Sequence, residues 1–162
     1  MDKANQFNIV IVGVGGQGLI TMLQILAEAA MAQGFEIRTS ELHGLSQRGG
    51  SVEVHIRWGK EIYSPLIQLE RADLIIALEP QESLRALRYS SEKHTVFLVN
   101  DFMKAIPGEK LLEIKKIERQ LKKFSKKVIL LPASEICKEK LGKDVTAGVY
   151  LISLAGFKKL IP

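Results

Sequence analysis

One stretch, "FNIVIVGVGGQGLITMLQILAEAAMAQG" at residues 7–34, limits the possible folds more than any other part of the chain. Residues 7–12 form an apolar run of strand length, a glycine turn follows, and apolar side chains then recur at helical spacing from about 18 to 33. Gly34 supplies a stop signal for the helix. "FEIRTSE" then reads as a second strand. A strand, a helix and a strand in this order imply a crossover, and so parallel pairing on one sheet.

The rest of the chain repeats the alternation. In "SVEVHIRW", Val52, Val54, Ile56 and Trp58 fall on one side of a strand, and Glu53, His55 and Arg57 on the other. Gly59 and Lys60 read as a two-residue turn into "EIYSP", which predicts an antiparallel hairpin. "ADLIIAL", "TVFLVND" and "KVILLPA" are continuous apolar runs, the mark of strands covered on both faces. Between the first two, "EPQESLRALRYS" reads as a helix with Pro80 in its first turn. "GEKLLEIKKIERQLKKFSKK" sets Leu111, Ile114, Ile117, Leu121 and Phe124 at helical spacing under a basic surface. "SEICKEKLG" reads as a helix capped by Ser134 and closed by Gly142, and the apolar "DVTAGVYLISLAGFKKLIP" as a last helix. The expected fold is α/β: one three-layer, Rossmann-like domain over residues 1–162, with a mostly parallel sheet carrying an antiparallel hairpin.

Composition removes several function classes. The single cysteine, Cys137, forms no internal disulfide, and no Cys/His spacing suits zinc or an iron-sulfur cluster, so no metal site is expected. No window reaches the roughly 18 apolar residues of a membrane span, and the expected location is the cytoplasm. Residues 1–103 hold 9 Lys/Arg against 12 Asp/Glu, so the net charge of +5 is carried by the remainder. The lysines there are diluted by acids and not interleaved with aromatics, which argues against a nucleic-acid partner.

The turn "GVGGQG" satisfies G-x-G-x-x-G with Gly13, Gly15 and Gly18, and Gly16 and Gln17 complete it. Between a strand and a helix, such a turn offers backbone N–H groups to an anion. A dinucleotide site also needs an acidic residue closing the second strand. Glu41 comes late for that role, and Arg38 confuses the charge. Leu19 stands where a triphosphate-binding loop would place its lysine, which excludes that loop. The plainer reading is that the glycines only let the helix pack closely on the sheet.

The second unusual stretch is "ELHGLSQRGGSVEVHIRW". Following the second strand, it falls on the same sheet edge as the glycine turn, and the two loops should face one crevice. Gly49 and Gly50 permit unusual dihedrals, Arg48 offers a planar fork for phosphate or carboxylate, and Ser46 and Gln47 add neutral donors. His43 is a proton donor, a partner contact or a turn-stabilising residue.

With "GVGGQGLITMLQILAEAA", "ELHGLSQRGGSVEVHIRWG", "YSPLI" and "ADLIIALEPQESLRALRY", the chain closely resembles the gamma-domain family of the 2-oxoacid:ferredoxin oxidoreductases. The resemblance is strongest from about residue 7 to 107, and "HGLSQRGGSV" points to its indolepyruvate branch, where this piece is the beta subunit. It implies a heteromeric enzyme that oxidatively decarboxylates an aryl 2-oxoacid, with coenzyme A as substrate and ferredoxin as electron acceptor. By the same resemblance, thiamine diphosphate and the iron-sulfur clusters belong to a large catalytic alpha subunit, and this chain has no catalytic residue or cofactor of its own. Gly13, Gly15, Gly16, Gln17, Gly18, His43, Ser46, Gln47, Arg48, Gly49 and Gly50 would then face that partner and the coenzyme A phosphates. Thr146 and Ala147 stand where the family usually carries an asparagine, a departure that bears on the C-terminal contacts. Apart from its partner such a domain exposes an apolar patch, so a homodimer in isolation is expected. A free-standing nucleotide-binding protein using the glycine turn is the alternative, and a scaffold without enzymatic association the third reading.

Other polar residues carry weaker expectations. His55 reads as a surface or interface side chain and His94 as solvent-exposed, while Glu79 has a structural use at a helix start and makes no acid–base pair with Glu82. Asn100 and Asp101 close a strand on the carboxyl edge, and Cys137 reads as a small buried apolar residue.

Overall fold

The computed structural model of this chain describes residues 6–44, 50–103 and 111–162. Its strands are β1 (Gln6–Val14), β2 (Glu36–His43), β3 (Ser51–Gly59), β4 (Leu74–Ala77), β5 (Val96–Asn100) and β6 (Lys127–Leu131). Its helices are α1 (Leu19–Ala32), α2 (Pro80–Ser83), α3 (Ile114–Phe124), α4 (Ala133–Leu141) and α5 (Ala147–Phe157), with 3-10 turns at Arg85–Tyr89 and Asp144–Thr146. The strands form one sheet in the order β2-β3-β1-β4-β5-β6.

The apolar runs are continuous because both faces of the sheet are covered. Ile9, Ile11, Leu74, Ile76 and Leu98 enter one core with α1 and α5. Their neighbours Val10, Val12, Ile75, Phe97 and Val99 enter the other, with Ile117 and Leu121 of α3. Each such fully buried side chain contributes about 2 kcal/mol of transfer free energy. On the first face α5 comes unusually close to α1, since a Cβ on Gly148 would lie 2.7 Å from the Met22 sulfur. Gly34 (φ +81°) and Gly142 (φ +72°) end α1 and α4 in the left-handed region, as their positions predict.

β1, β4, β5 and β6 are parallel neighbours, and the antiparallel part of the sheet differs from expectation. β2 runs in the same direction as β1 but does not pair with it, because β3 lies between them, antiparallel to both. The hairpin is therefore β2–β3, registered from Glu36 opposite Gly59 to His43 opposite Val52, and not β3 with "EIYSP". A strand has two hydrogen-bonding edges. β1 and β2 use both edges of β3, so residues 61–64 have none left to join and run as irregular chain.

Smaller differences follow from local contacts. The basic helix starts at Ile114, with Leu111 about two-fifths exposed. Pro132, not Ser134, stands at the start of α4, and Ser134 is instead a buried partner of Asn100. His94 is exposed and Cys137 is a buried free thiol, as expected.

Candidate functional site

β1 is the strand at which the sheet changes its winding, with the β2–β3 hairpin on one side and β4 to β6 on the other. A crevice opens outside the carboxyl ends of strands at such a point. Here it has a volume of about 230 Å³ and is lined by Gly16 and Gln17 from the turn after β1, Leu78 after β4, and Asn100 and Phe102 at the end of β5. Ser134 at the start of α4 and Asp144, Val145 and Ala147 at the start of α5 complete it.

The glycine turn leaves room on the crevice side. Gly16 (φ +93°) and Gly18 (φ +81°) sit in the left-handed region, and nothing lies within 4 Å of where a Cβ on Gly16 would be. Gly18 is the residue before α1, and no side chain caps that helix end. An uncapped end of a fourteen-residue helix, approached through glycine, suits an anion. Gly13 serves packing, because a Cβ there would meet Gln17 Oε1 at 2.8 Å and Leu78 Cβ at 3.1 Å. Gln17 accepts the Val14 N–H through Oε1 (2.8 Å) and donates through Nε2 to Glu79 (2.7 Å). Gly13→Val is expected to push Gln17 out of this bridge and to lower stability by about 1–3 kcal/mol, as overpacking does; urea denaturation beside wild type checks it.

Of the second segment, the described ends lie at the carboxyl edge, and His43 lines a different hollow from the crevice that the sequence predicts for both loops. β2 delivers the segment to that edge and β3 starts from there. Gly15 N–H donates to Gly50 O at 3.0 Å, and Gly44 N–H to Ser51 O at 3.0 Å. Gly50 thus joins the glycine turn, while Ser46, Gln47, Arg48 and Gly49 lie outside the described residues. His43 is more than half exposed and sits 3.3 Å from Glu41, near Arg85 and Arg88 on the rim of a second hollow.

Glu79, expected to line the crevice or serve a helix start, and Glu82 are both buried behind this edge. Glu79 (3% exposed) takes the Gln17 amide, and Glu82 (5% exposed) accepts from the Ser51 hydroxyl and from Arg85 Nε. They anchor the two loops and are not arranged as an acid–base pair. Asn100 is likewise consumed by structure: Nδ2 donates to Leu78 O (3.1 Å) and Ser134 Oγ (2.8 Å), and Oδ1 accepts Ser134 N–H (3.1 Å).

A third carboxylate, Glu53, is also buried, on the strand face where the sequence predicts His55 as a surface or interface side chain. His55 is 1% exposed, because the outer face of β3 is covered by the Arg85–Tyr89 turn and by the chain near Ile67. Its Nδ1 accepts the Ile67 N–H (3.0 Å), so the ring proton sits on Nε2 and is donated to Glu53 (2.9 Å). Tyr89 Oη (2.7 Å) and Arg88 (3.1 Å) also donate to Glu53. Burial pushes the Glu53 carboxyl up, but the His55 and Tyr89 hydrogen bonds and the Arg88 charge outweigh it and hold the group below its ordinary range. Burial and the Glu53 bond push the Tyr89 phenol up. The only sequence signal was the i, i+2 placement of Glu53 and His55, which reads equally well as a solvated face.

Among the described residues no group of three His, Cys, Asp or Glu is placed to hold a metal ion, and no helix is long and apolar enough to cross a membrane. The dinucleotide alternative loses its geometric basis. With β3 inserted, Glu41 lies opposite Val54 and one strand further from the glycine turn than a ribose-binding acid should be.

With this geometry in place, comparison with known proteins is informative. The family model for pyruvate ferredoxin/flavodoxin oxidoreductase matches residues 8–161. The chain is 43% identical over 155 residues to the indolepyruvate oxidoreductase subunit IorB of Archaeoglobus fulgidus, covering 92% of this chain and 75% of that one. Pyruvate oxidoreductase subunit PORC from Thermotoga maritima has a similar fold, with a TM-score of 0.67 at 20% identity, over 98% of this chain and 79% of that one. So does part of the 2-oxoglutarate:ferredoxin oxidoreductase from Magnetococcus marinus, solved with 2-oxoglutarate, coenzyme A and succinyl-CoA bound (TM-score 0.62, 17% identity, 90% of this chain and 23% of that one). A match from the first residues of β1 to the end of the described chain, on a sheet of the same kind, makes this chain a member of the pyruvate ferredoxin/flavodoxin oxidoreductase family.

Proposed function

We propose that the chain, as one gamma-type domain over residues 1–162, is the accessory subunit of a cytoplasmic indolepyruvate:ferredoxin oxidoreductase. The aryl 2-oxoacid loses carbon dioxide and two electrons, the electrons pass to ferredoxin, and the acyl group passes to the coenzyme A thiol. Thiamine diphosphate, which supports the decarboxylation, and the iron-sulfur clusters reside on the large partner. This chain's part is to hold the anionic end of coenzyme A. The observation that carries the reading is the Gly15 to Gly50 hydrogen bond, which ties the glycine turn and the "HGLSQRGG" loop into one rim.

The crevice is too small for the whole carrier but fits a phosphate at Gly16 and the end of α1. The "HGLSQRGG" segment supplies His43, Ser46, Gln47, Arg48 and Gly49 to the same reading, and within that segment Arg48 is the residue whose planar fork suits a phosphate.

The test is to purify the chain with its large partner and measure aryl 2-oxoacid oxidation coupled to ferredoxin reduction. Arg48→Ala should leave the complex intact and raise KM for coenzyme A about 10–100-fold, the loss of a charge-assisted contact, with kcat little changed. Loss of the complex instead would make Arg48 a docking residue. Micromolar binding of NAD or FAD by the isolated chain would overturn the reading in favour of the nucleotide-binding alternative.

A further inference from the structure

The opposite edge of the sheet carries a hollow that the function proposed above does not use. Its volume is about 580 Å³, and it shares no lining residue with the crevice. Phe7 at the start of β1, Phe35 ahead of β2 and Trp58 at the end of β3 supply an aromatic wall, and Leu160 and Ile161 after α5 close it. Phe7 and Trp58 stack, with ring centroids 5.2 Å apart and planes 27° apart, and Trp58 is 5% exposed. The chain's only tryptophan and two of its six phenylalanines thus meet around one concave place.

The reversal after α5 builds the last side. Lys159 lies in the left-handed region (φ +52°), where glycine is usual. Its N–H donates to Gly156 O (2.9 Å), and the Leu160 N–H reaches back to Ala155 O (2.8 Å). This turn buries Leu160 and leaves Lys159 exposed at the rim.

Few polar groups reach the hollow, and their pairing points to the charge of a ligand. Gln6 is engaged at both ends of its amide, donating to Glu61 O (3.0 Å) and accepting from Arg57 (2.8 Å), and the Asp73 carboxylate accepts the Asn8 N–H (2.9 Å). Lys60 and Lys159 are exposed, and neither takes part in the ion pairs of the described residues. Apolar walls with a few polar groups, in a volume between about 300 and 1,000 Å³, are the marks of a small-molecule site. Aromatic walls favour a flat ring, and two ammonium groups against one engaged carboxylate favour a negative charge.

We infer that this hollow binds a small aromatic carboxylate, with the ring on the wall of Phe7, Phe35 and Trp58 and the carboxylate at the Lys60 and Lys159 ammonium groups. The site stands whether or not the chain handles coenzyme A, because nothing in the crevice takes part in it.

Trp58 is the single tryptophan, so its fluorescence reports this hollow alone. The full chain is titrated with phenylacetate, whose ring is transparent where tryptophan is selectively excited. Phenylacetamide and hexanoate, which remove the charge and the ring in turn, are titrated beside it. Phenylacetate should shift the Trp58 emission saturably with a Kd of about 0.1–1 mM, as suits a ligand of about ten heavy atoms. Both analogues should bind at least about tenfold more weakly. Lys60→Gln combined with Lys159→Gln should weaken phenylacetate to the level of phenylacetamide and leave phenylacetamide unchanged. A wild-type chain with no saturable shift overturns the inference. So does phenylacetamide or hexanoate binding as tightly as phenylacetate, or a double variant that binds phenylacetate like wild type.

Discussion

Glu53→Ala is expected to lower the melting temperature by about 6–12 °C, corresponding to about 3 kcal/mol in a domain of this size. The carboxylate is 8% exposed and is the common acceptor for His55 Nε2–H, Tyr89 Oη and Arg88, so it joins β3 to the 3-10 turn over it. Without it, the Tyr89 hydroxyl and the His55 N–H stay inside with no acceptor, at a cost of about 1–3 kcal/mol each before relaxation. Arg88, more than half exposed, returns to water and adds little. Glu53→Gln keeps an oxygen for Tyr89 but turns an amide N–H₂ toward another donor, so a smaller loss is expected. The pH dependence separates the two effects. A carboxyl held below its ordinary value, about 4.3, contributes stability that is fully present above that value and is lost as pH falls through the folded-state value. The stability gap between wild type and Glu53→Gln should therefore be constant from neutral pH to about 5 and shrink below it. Thermal melts across that window decide, and a gap unchanged down to pH 3 would mean that the carboxylate is not the stabilising species.

The parallel half of the sheet was legible because its evidence is local. Continuous apolar runs at β1, β4, β5 and β6, each followed by a turn and a helical pattern, leave few arrangements open. The position of β3 was not legible, since nothing local in "SVEVHIRW" says which strands lie beside it. A two-residue turn at Gly59 and Lys60 was a sound local signal that lost to a longer-range fact, the use of both β3 edges by β1 and β2. The same omission made His55 and Glu53 look solvated. Alternation shows which residues share a face, and only the tertiary structure shows that the Arg85–Tyr89 turn covers that face.

The candidate site was legible in outline for a related reason. Direction along the sheet follows from chain order, so two loops after strands of one direction meet on one edge, and the Gly15–Gly50 bond is that meeting. The supporting layer was not. The sequence places Gln17 in the turn, but that it bridges Val14 and Glu79 depends on β4 lying beside β1. Chain order places Asn100 on the carboxyl edge, yet whether its amide faces the crevice or the fold is a matter of a few ångströms that spacing does not encode.

Asn100→Asp is the second substitution for which a large effect is expected, about 2–4 kcal/mol at pH 7, because it exchanges a donor for an acceptor where both roles are fixed. Only an N–H₂ can face the Leu78 carbonyl, and only an oxygen can accept the Ser134 N–H, so the side chain has a single workable orientation. At 1% exposure no water relieves a mismatch. In the aspartate variant the Ser134 hydroxyl can rotate and donate, and the first turn of α4 offers some favourable dipole, but the Leu78 carbonyl is left facing a second oxygen. Burial and that carbonyl raise the new carboxyl, and for an acid so raised the sign is opposite to that of Glu53. The penalty is complete above the folded-state value and shrinks as pH falls toward the ordinary aspartate value of about 3.9, where the protonated acid regains a hydrogen to give Leu78. Acidification should thus narrow the gap between Asn100→Asp and wild type. Because Leu78, Asn100 and Ser134 all line the crevice, the variant should also weaken, in step with its stability, the coenzyme A binding proposed for this crevice. Calorimetric melts at pH 7 and pH 4, with coenzyme A titrations beside them, measure both, and a variant melting within about 1 °C of wild type at pH 7 would show that these bonds do not hold the crevice together.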